Sequence, residues 1–251
     1  MTAAAREEPG RAGRAPAEGR VADAGALVVL FDLDGTLINT RRLYMACYRR
    51  AVLPYVGREL TQEEILALRP RSELRFLRDV VGEERLAACM EDFYRAYAEL
   101  HDEYFRGIYD GVPEMLATLR TARARLGIVT GKSRRSWELT RAREALGRFD
   151  VLVFDDDVIE PKPDPEGLRL ALDRLGADPG AAFYVGDSAS DLEAAAAAGV
   201  RPAAALWAKG EDDREAFLRR IASFDAPAFP TPAAVIRHLG LAAADAGAAG
   251  G

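Results

Sequence analysis

The feature that most constrains the fold of this chain is a series of short apolar runs with helical stretches between them. Five runs of strand length occupy residues 26–31, 126–129, 151–154, 182–185 and 203–207. Helical periodicity marks residues 112–124, 134–146, 164–175 and 190–198. A continuous apolar run is typical of a strand buried on both faces, and strands that alternate with helices favour a parallel sheet. The sequence therefore predicts an α/β fold with a Rossmann-like, doubly wound parallel sheet.

One long segment interrupts this alternation. Residues 40–106 contain no strand-like run, and apolar side chains recur with a period near 3.6 from Leu86 to Tyr104. We therefore predict an all-helical insert whose aromatic stripe packs in its own core. The predicted organisation is a disordered tail at 1–25, a sheet domain from 26–39 and 107–240, the helical insert at 40–106, and a flexible tail at 241–251.

Composition excludes several functional classes. The net charge of −6 and the absence of a basic block argue against a nucleic-acid partner. No apolar run approaches the roughly 18 residues of a membrane span, and the first 25 residues do not resemble a signal peptide. Cys47 and Cys89 lack the spacing of a disulfide scaffold or metal site and suit a reducing compartment. We expect a cytoplasmic protein with no membrane partner, as a monomer or homodimer.

Two of the predicted strands end in paired carboxylates. Asp32 and Asp34 follow the first strand, and one can act as a nucleophile while the other is a general acid or base. Gly35 and Thr36 then form a tight turn whose backbone amides could bind phosphate oxygens, although an Asp-Gly turn is also common without function. Asp187 and Asp191 follow the fourth strand and suit a hard cation such as magnesium, or a helix N-terminus.

Two further candidates are a hydroxyl and a lysine. Thr130 and Gly131 end the second strand, where a hydroxyl can bind a phosphate oxygen or cap a helix. Lys162 lies between two prolines that stiffen its loop, so its ammonium could neutralise a phosphate and a carboxylate, or could simply be solvated. Only three of the 34 basic residues are lysines. This scarcity indicates that their positions require a compact ammonium.

Taken together and in this order, the four motifs resemble those of the haloacid dehalogenase superfamily, in its phosphoglycolate phosphatase-like branch with a helical cap. They are Asp32-Leu-Asp-Gly-Thr36, the isolated Thr130, Lys162-Pro-Asp-Pro165 and Gly186-Asp-Ser-x-x-Asp191. The resemblance covers about residues 26–240. It implies that the helical insert is a cap domain.

The resemblance implies a role for each motif residue. Asp32 is the expected nucleophile that forms an aspartyl-phosphate, and Asp34 the expected acid and base. Thr130 and Lys162 would hold the phosphoryl oxygens. Mg²⁺ would be bound by the Asp32 carboxylate, the Asp34 backbone carbonyl and Asp187, with Asp191 as an indirect partner. The expected substrate is a small phosphorylated metabolite. The positive charges of Mg²⁺ and Lys162 would reduce the repulsion between its phosphate and the anionic nucleophile.

Within the superfamily some branches fit poorly. Asp34 argues against a dehalogenase, and the absence of lysine from residues 40–106 excludes the Schiff-base chemistry of phosphonoacetaldehyde hydrolases. Leu33 stands where transporting ATPases carry lysine. Gly186 favours a phosphatase over a phosphosugar mutase, which usually has glutamate there. The alternatives that remain are a mutase or phosphotransferase and a non-catalytic protein that binds a phosphorylated metabolite.

Substrate choice is expected to lie in the insert, because the core motifs contact only the transferred phosphoryl group. Residues 69–78 carry four arginines against one acid. Arg69 and Arg71 are candidates to bind an anionic leaving group, such as that of phosphoglycolate. Two positions depart from the relatives: Gly131 replaces a common asparagine, and Arg69 replaces a common glycine.

Overall fold

The central element of the protein is a six-stranded parallel sheet. A computed structural model describes residues 26–68 and 72–241. The strands are β1 (Val28–Phe31), β2 (Arg125–Val129), β3 (Val151–Val153), β4 (Ala182–Gly186), β5 (Arg201–Ala205) and β6 (Ala228–Phe229). Their spatial order is β3-β2-β1-β4-β5-β6, and every neighbouring pair is parallel. The predicted fold class is confirmed.

A helical insert lies between β1 and the rest of the sheet. It consists of α1 (Arg41–Val56), α2 (Gln62–Ala67), α3 (Glu73–Val81) and α4 (Glu83–Tyr104). These helices enclose a hydrophobic cluster of their own, in which the ring of Tyr48 contacts the rings of Phe76 and Phe93. Cys47 and Cys89 are free thiols buried in the same cluster. The aromatic stripe predicted from the sequence therefore packs inside the insert.

Helices cover both faces of the sheet. They are α5 (Val112–Thr121), α6 (Arg134–Arg141), α7 (Glu166–Leu175), α8 (Ala189–Ala198), α9 (Glu211–Ile221) and α10 (Pro232–His238). Val29 and Phe31 of β1 join the cluster that contains residues of α5, α6 and α10, whereas Val28 and Leu30 join the cluster with α7 and α8. Successive side chains of a strand point to opposite faces, which explains why β1 is apolar throughout.

The insert is attached to the sheet domain by two neighbouring backbone segments. The amide of Asn39 donates to the carbonyl of Gly107 at 2.9 Å, and the amide of Arg106 donates to the carbonyl of Asn39 at 3.1 Å. Ile38 and Ile108 form an antiparallel bridge beside them. The chain thus leaves and re-enters the sheet domain side by side.

Several element boundaries differ from the sequence prediction. The predicted helix at 164–175 begins at Glu166, after Pro165, and the one at 134–146 ends at Arg141. The fifth strand lies two residues earlier than predicted. The predicted tail at 1–25 and residues 242–251 lie outside the described residues, whereas Leu241 packs against the core. Within the described residues, no helix combines the length and apolar character needed to cross a membrane.

Candidate active site

The candidate residues meet at the carboxyl edge of the sheet, where β1, β2 and β4 end side by side. Asp32 follows β1, Thr130 follows β2, and Asp187 follows β4. The amide of Asp32 donates to the carbonyl of Val185 at 2.9 Å, which fixes the end of β1 against β4. The strand order reverses between these elements, and the crevice at such a point is where open α/β sheets bind ligands.

Lys162 links two of the carboxylates. Its Nζ lies 2.6 Å from Oδ1 of Asp32 and 2.6 Å from Oδ1 of Asp191. The same ammonium donates to the hydroxyl of Tyr184 at 2.8 Å, and the side chain is only 11% exposed. A lysine in this position neutralises buried negative charge at the point where a phosphoryl group would add more.

Three carboxylates form a cluster with the composition of a cation site. Oxygen atoms of Asp32, Asp187 and Asp191 all lie within 4.8 Å of one another. Asp191 is held in place because it completes a capping box with Ser188 at the start of α8. Oxygen-only ligands suit hard cations such as Mg²⁺ or Ca²⁺, so the donor set fits the expected metal.

The pKa shifts of these three carboxyl groups reflect the negative charge that is buried together in the cluster. Burial raises the pKa of Asp32 to about 8, although the charge of Lys162 acts in the opposite direction. Burial also raises the pKa of Asp187, against the pull of Lys209. For Asp191, burial is outweighed by the charge and hydrogen bond of Lys162, so its pKa lies below its ordinary value. A further cation would favour the ionised forms of Asp32 and Asp187.

Gly35 allows the turn after β1 to approach Asp187. Its φ is +89°, and a Cβ built on it would lie 2.7 Å from an Asp187 carboxylate oxygen. A side chain at this position would therefore meet both backbone strain and a steric clash. The glycine keeps Asp187 next to the carboxylates that follow β1.

We expect Gly35→Ala to destabilise the protein more than Gly57→Ala. Gly57 also has a positive φ, +76°, but a Cβ there would have nothing within 4 Å. Gly57→Ala should lower the free energy of unfolding by about 1–2 kcal/mol through backbone strain alone, and Gly35→Ala should exceed this because Asp187 must also move. Urea denaturation of both variants measures the difference. Equal losses would show that the contact with Asp187 is unimportant.

Asp34 faces the insert rather than the carboxylate cluster. The hydroxyl of Thr40 donates to its Oδ1 at 2.7 Å, and the ammonium of Lys132 lies 3.2 Å from the same oxygen. The hydroxyl of Tyr44, on α1, lies 3.3 Å from Oδ2. Asp34 thus lies at the boundary between the sheet domain and the insert.

A cavity of about 650 Å³ opens over these residues. Asp32, Asp34, Gly35, Thr130 and Gly131 line it, together with Lys162, Asp187 and Asp191. Lys209 also lines it, and its Nζ lies 3.1 Å from Oδ2 of Asp187. The structure therefore brings most of the predicted site residues to one cavity between the sheet domain and the insert.

Four predicted binding residues are placed differently or lie outside the described residues. The amides of Gly35 and Thr36 were expected to be free for phosphate, but they donate to Ile38 at 2.9 Å and to Leu33 at 3.3 Å within the turn. This expectation is wrong because the tight turn uses its own amides. Thr36 is fully buried, and its carbonyl accepts from the Trp207 indole at 2.8 Å. Arg69 and Arg71 lie outside the described residues.

Sequence reasoning did not assign two of the three lysines to the site, and it missed two residues of the insert. Lys132 and Lys209 line the cavity, as do Tyr44 and Glu73. The scarcity of lysine in an arginine-rich chain was the signal that could have identified both lysines, since all three lysines line this cavity. Tyr44 and Glu73 carry no comparable signal, because the insert's orientation on the sheet decides their position.

Comparison with known proteins agrees with this geometry. A profile of the haloacid dehalogenase-like hydrolases matches residues 29–205. Pyrophosphatase PpaX from Bacillus velezensis is 38% identical over 189 residues, which cover 74% of this chain and 85% of that protein. PpaX from Bacillus cereus strain AH820 is 34% identical over 192 residues, covering 75% and 88%.

Several solved structures share this architecture. A candidate phosphoglycolate phosphatase from Lactobacillus plantarum superposes with a TM-score of 0.70 at 25% identity, covering 84% of this chain and 98% of that one. CbbY from Rhodobacter sphaeroides, in complex with phosphate, gives a TM-score of 0.67 at 26% identity, covering 83% and 95%. A candidate β-phosphoglucomutase from Thermotoga maritima gives 0.63 at 27% identity, covering 85% and 98%. With this sheet, this insert and the matching family profile, the chain belongs to the haloacid dehalogenase-like hydrolases.

Proposed function

We propose that this hydrolase is a magnesium-dependent phosphatase that cleaves small anionic phosphate compounds through an aspartyl-phosphate on Asp32. The observation that carries the proposal is the placement of Lys162, 2.6 Å from both Asp32 and Asp191, beside the three-carboxylate cluster. A carboxylate nucleophile and a phosphate repel each other. A shared ammonium and a cation site at the same point reduce that repulsion.

The proposed reaction has two steps. In the first, an Asp32 oxygen forms a bond to phosphorus while the bond to the leaving oxygen breaks, and Asp34 gives that oxygen a proton. In the second, Asp34 takes a proton from water, whose oxygen attacks the same phosphorus. Inorganic phosphate then leaves, and the Asp32 carboxylate is restored. Thr130 and Lys162, which line the cavity, would orient the phosphoryl oxygens in both steps.

The magnesium ion would be held by Asp32, Asp187 and the backbone carbonyl of Asp34. Asp191 would orient Lys162 and the metal site. When bound, Mg²⁺ would neutralise charge on the transferring phosphoryl group. The chain's own contribution is to place an oxygen-only donor set beside the nucleophile and to supply Lys162 for charge that the metal does not reach.

Inorganic pyrophosphate is the substrate that we propose first, and phosphoglycolate the second. The support for pyrophosphate is the 38% identity to the pyrophosphatase PpaX of Bacillus velezensis, and for phosphoglycolate the similarity to the Lactobacillus plantarum structure. Both substrates have a leaving group that is itself anionic. The test is release of phosphate by the purified protein with magnesium, from pyrophosphate, phosphoglycolate, sugar phosphates and nucleotides. Preference for the first two supports the proposal. A preference for sugar phosphates, whose leaving group is a neutral sugar, contradicts it.

A phosphotransferase or mutase is the second candidate, because the Thermotoga maritima structure is similar. Reaction in ¹⁸O-labelled water distinguishes the two functions. A hydrolase incorporates one solvent oxygen into each released phosphate, whereas a mutase returns an isomerised ester without releasing phosphate. Tight binding of phosphate esters with neither product would instead indicate a non-catalytic binding protein.

We expect removal of divalent metal with EDTA to lower phosphate release by at least about 100-fold, because several kcal/mol of charge stabilisation are lost. Added Mg²⁺ should restore activity, and added Na⁺ should not. Calorimetric titration of Mg²⁺ into the protein gives a second readout, in which Asp187→Asn should weaken binding. Full activity in EDTA would contradict the metal requirement.

A further inference from the structure

All three lysines of the chain lie in one cavity, and each contacts a different aspartate. Lys162 pairs with Asp32, and Lys209 pairs with Asp187. Lys132 has its Nζ 3.2 Å from Asp34. In a chain whose other basic residues are arginines, this distribution indicates that each ammonium has a distinct task. The reaction proposed above uses Lys162 and leaves the task of Lys132 open.

Lys132 is a fully buried ammonium on the side of the cavity formed by the insert. Its side chain is 0% exposed. Its Nζ donates to the hydroxyl of Tyr44 at 2.7 Å and lies 4.5 Å and 4.7 Å from the ring centres of Tyr44 and Tyr97. Carboxylate oxygens of Asp34 and Glu73 lie 3.2 Å and 4.0 Å from the same Nζ. These neighbours stabilise a positive charge at this position.

The nearest carboxylate of the insert does not hold this ammonium by a close hydrogen bond. Glu73 accepts from the hydroxyls of Tyr44 at 2.6 Å, Ser133 at 2.5 Å and Ser136 at 2.9 Å. Its distance to the Lys132 ammonium is 4.0 Å. Glu73 is thus satisfied by hydroxyl donors, and the closest polar contacts of the Lys132 ammonium are Tyr44 and Asp34.

The position of Asp34 shows which part of a substrate would meet Lys132. In the proposed reaction Asp34 gives a proton to the leaving oxygen, so the leaving group must lie against Asp34. Lys132 Nζ lies 3.2 Å and 3.5 Å from the two Asp34 oxygens, which puts it within reach of the same group. A buried cation there attracts an anion strongly, because the surroundings screen it little.

We propose that Lys132 is a specificity-determining residue that binds an anionic leaving group, namely the second phosphate of pyrophosphate or the carboxylate of phosphoglycolate. This inference rests on the proposed function, since it assigns a substrate class to the same site. It differs from a purely structural role, in which Lys132 would only join the insert to the sheet domain through Tyr44 and Asp34.

The test compares pyrophosphate with p-nitrophenyl phosphate in wild type and in Lys132→Met. Both leaving groups are weak bases, so neither depends strongly on the proton from Asp34, but only pyrophosphate has a leaving group that is charged before cleavage. We expect kcat/KM for pyrophosphate to fall by about 100-fold, the scale of a lost hydrogen bond to a charged group. For p-nitrophenyl phosphate we expect a fall of less than about 10-fold.

Lys209→Met is the matched control, because it removes another ammonium of the same cavity, on the Asp187 side. It should lower kcat/KM by the same factor for the two substrates. If Lys132→Met also lowers kcat/KM by the same factor for both, Lys132 is structural and the proposal is wrong. Lys132→Gln repeats the test with a side chain of similar length that can still donate a hydrogen bond, in case the methionine variant does not fold.

A binding measurement separates this inference from the proposed function. Wild type at fixed magnesium should bind methylenediphosphonate more tightly than methylphosphonate by calorimetry, and Lys132→Gln should lose that preference. A wild type that binds both but hydrolyses nothing overturns the proposed function and leaves the inference standing. If the wild type hydrolyses its substrates but Lys132→Gln still binds methylenediphosphonate more tightly than methylphosphonate, the inference alone is overturned.

Discussion

Replacing Asp32 by Asn is expected to lower phosphate release by four orders of magnitude or more, on the scale of removing a nucleophile in other enzymes. The amide nitrogen and oxygen of Asn cannot form the aspartyl-phosphate. Folding should be preserved, because Asn has nearly the same shape as Asp and Lys162 keeps its ion pair with Asp191 at 2.6 Å. The neutral amide also avoids the cost of burying a carboxylate.

The measurement is phosphate release, combined with acid quenching to trap a phosphorylated protein. Wild type should yield a covalent phosphate adduct, and Asp32→Asn should yield none. Asp173→Asn, at an exposed position of α7, is the control and should retain both activity and adduct. Retention of turnover in Asp32→Asn with the fold intact would overturn the proposed nucleophile.

Replacing Lys162 by Met should reduce both stability and turnover. The change leaves Asp32 and Asp191 buried without their shared ammonium, and removing one partner from a buried ion pair costs on the order of 3–5 kcal/mol. Turnover should fall by about 100- to 1,000-fold, as when one donor to developing charge is removed. Urea denaturation and phosphate release measure the two effects.

A double variant identifies the source of the stability loss. Asp32→Asn combined with Lys162→Met should recover part of the free energy of unfolding, because one uncompensated carboxylate is gone. The control is Arg219→Met, which breaks an exposed ion pair with Glu215 on α9 and should change stability by at most about 1 kcal/mol. A loss in Lys162→Met no larger than in Arg219→Met would contradict the role assigned to the buried pair.

The sequence was sufficient for the parts of the fold that depend on local pattern. β1 is a continuous apolar run that needs both faces covered, and the period near 3.6 from Leu86 to Tyr104 predicted the helical insert in which α4 lies. β6 was not predicted because it has only two residues. α9 was not predicted because its first turn is Glu-Asp-Asp and its apolar face is narrow, with Phe217 and Ile221 buried.

The site also divides into residues that local sequence pattern places and residues that only the docking of the insert places. Asp32, Thr130 and Asp187 each follow a strand, so the parallel sheet alone brings them to one edge. The contacts of Tyr44 and Glu73 with Lys132 depend on how α1 and α3 dock against the sheet domain. No local pattern encodes that docking. The scarcity of lysine draws attention to Lys132, but the sequence does not show that Lys132 lies beside Asp34.

The paired connections of the insert also bear on how such a chain can diverge. Because Asn39 and Gly107 are hydrogen-bonded neighbours, residues between them can be exchanged, lengthened or shortened without displacing any strand. Asp32 and Asp34 precede this junction, and Thr130, Lys132, Lys162 and Asp187 follow it. The residues proposed for chemistry and leaving-group binding are therefore encoded outside the insert, and selection can revise the insert's wall of the cavity while they are kept.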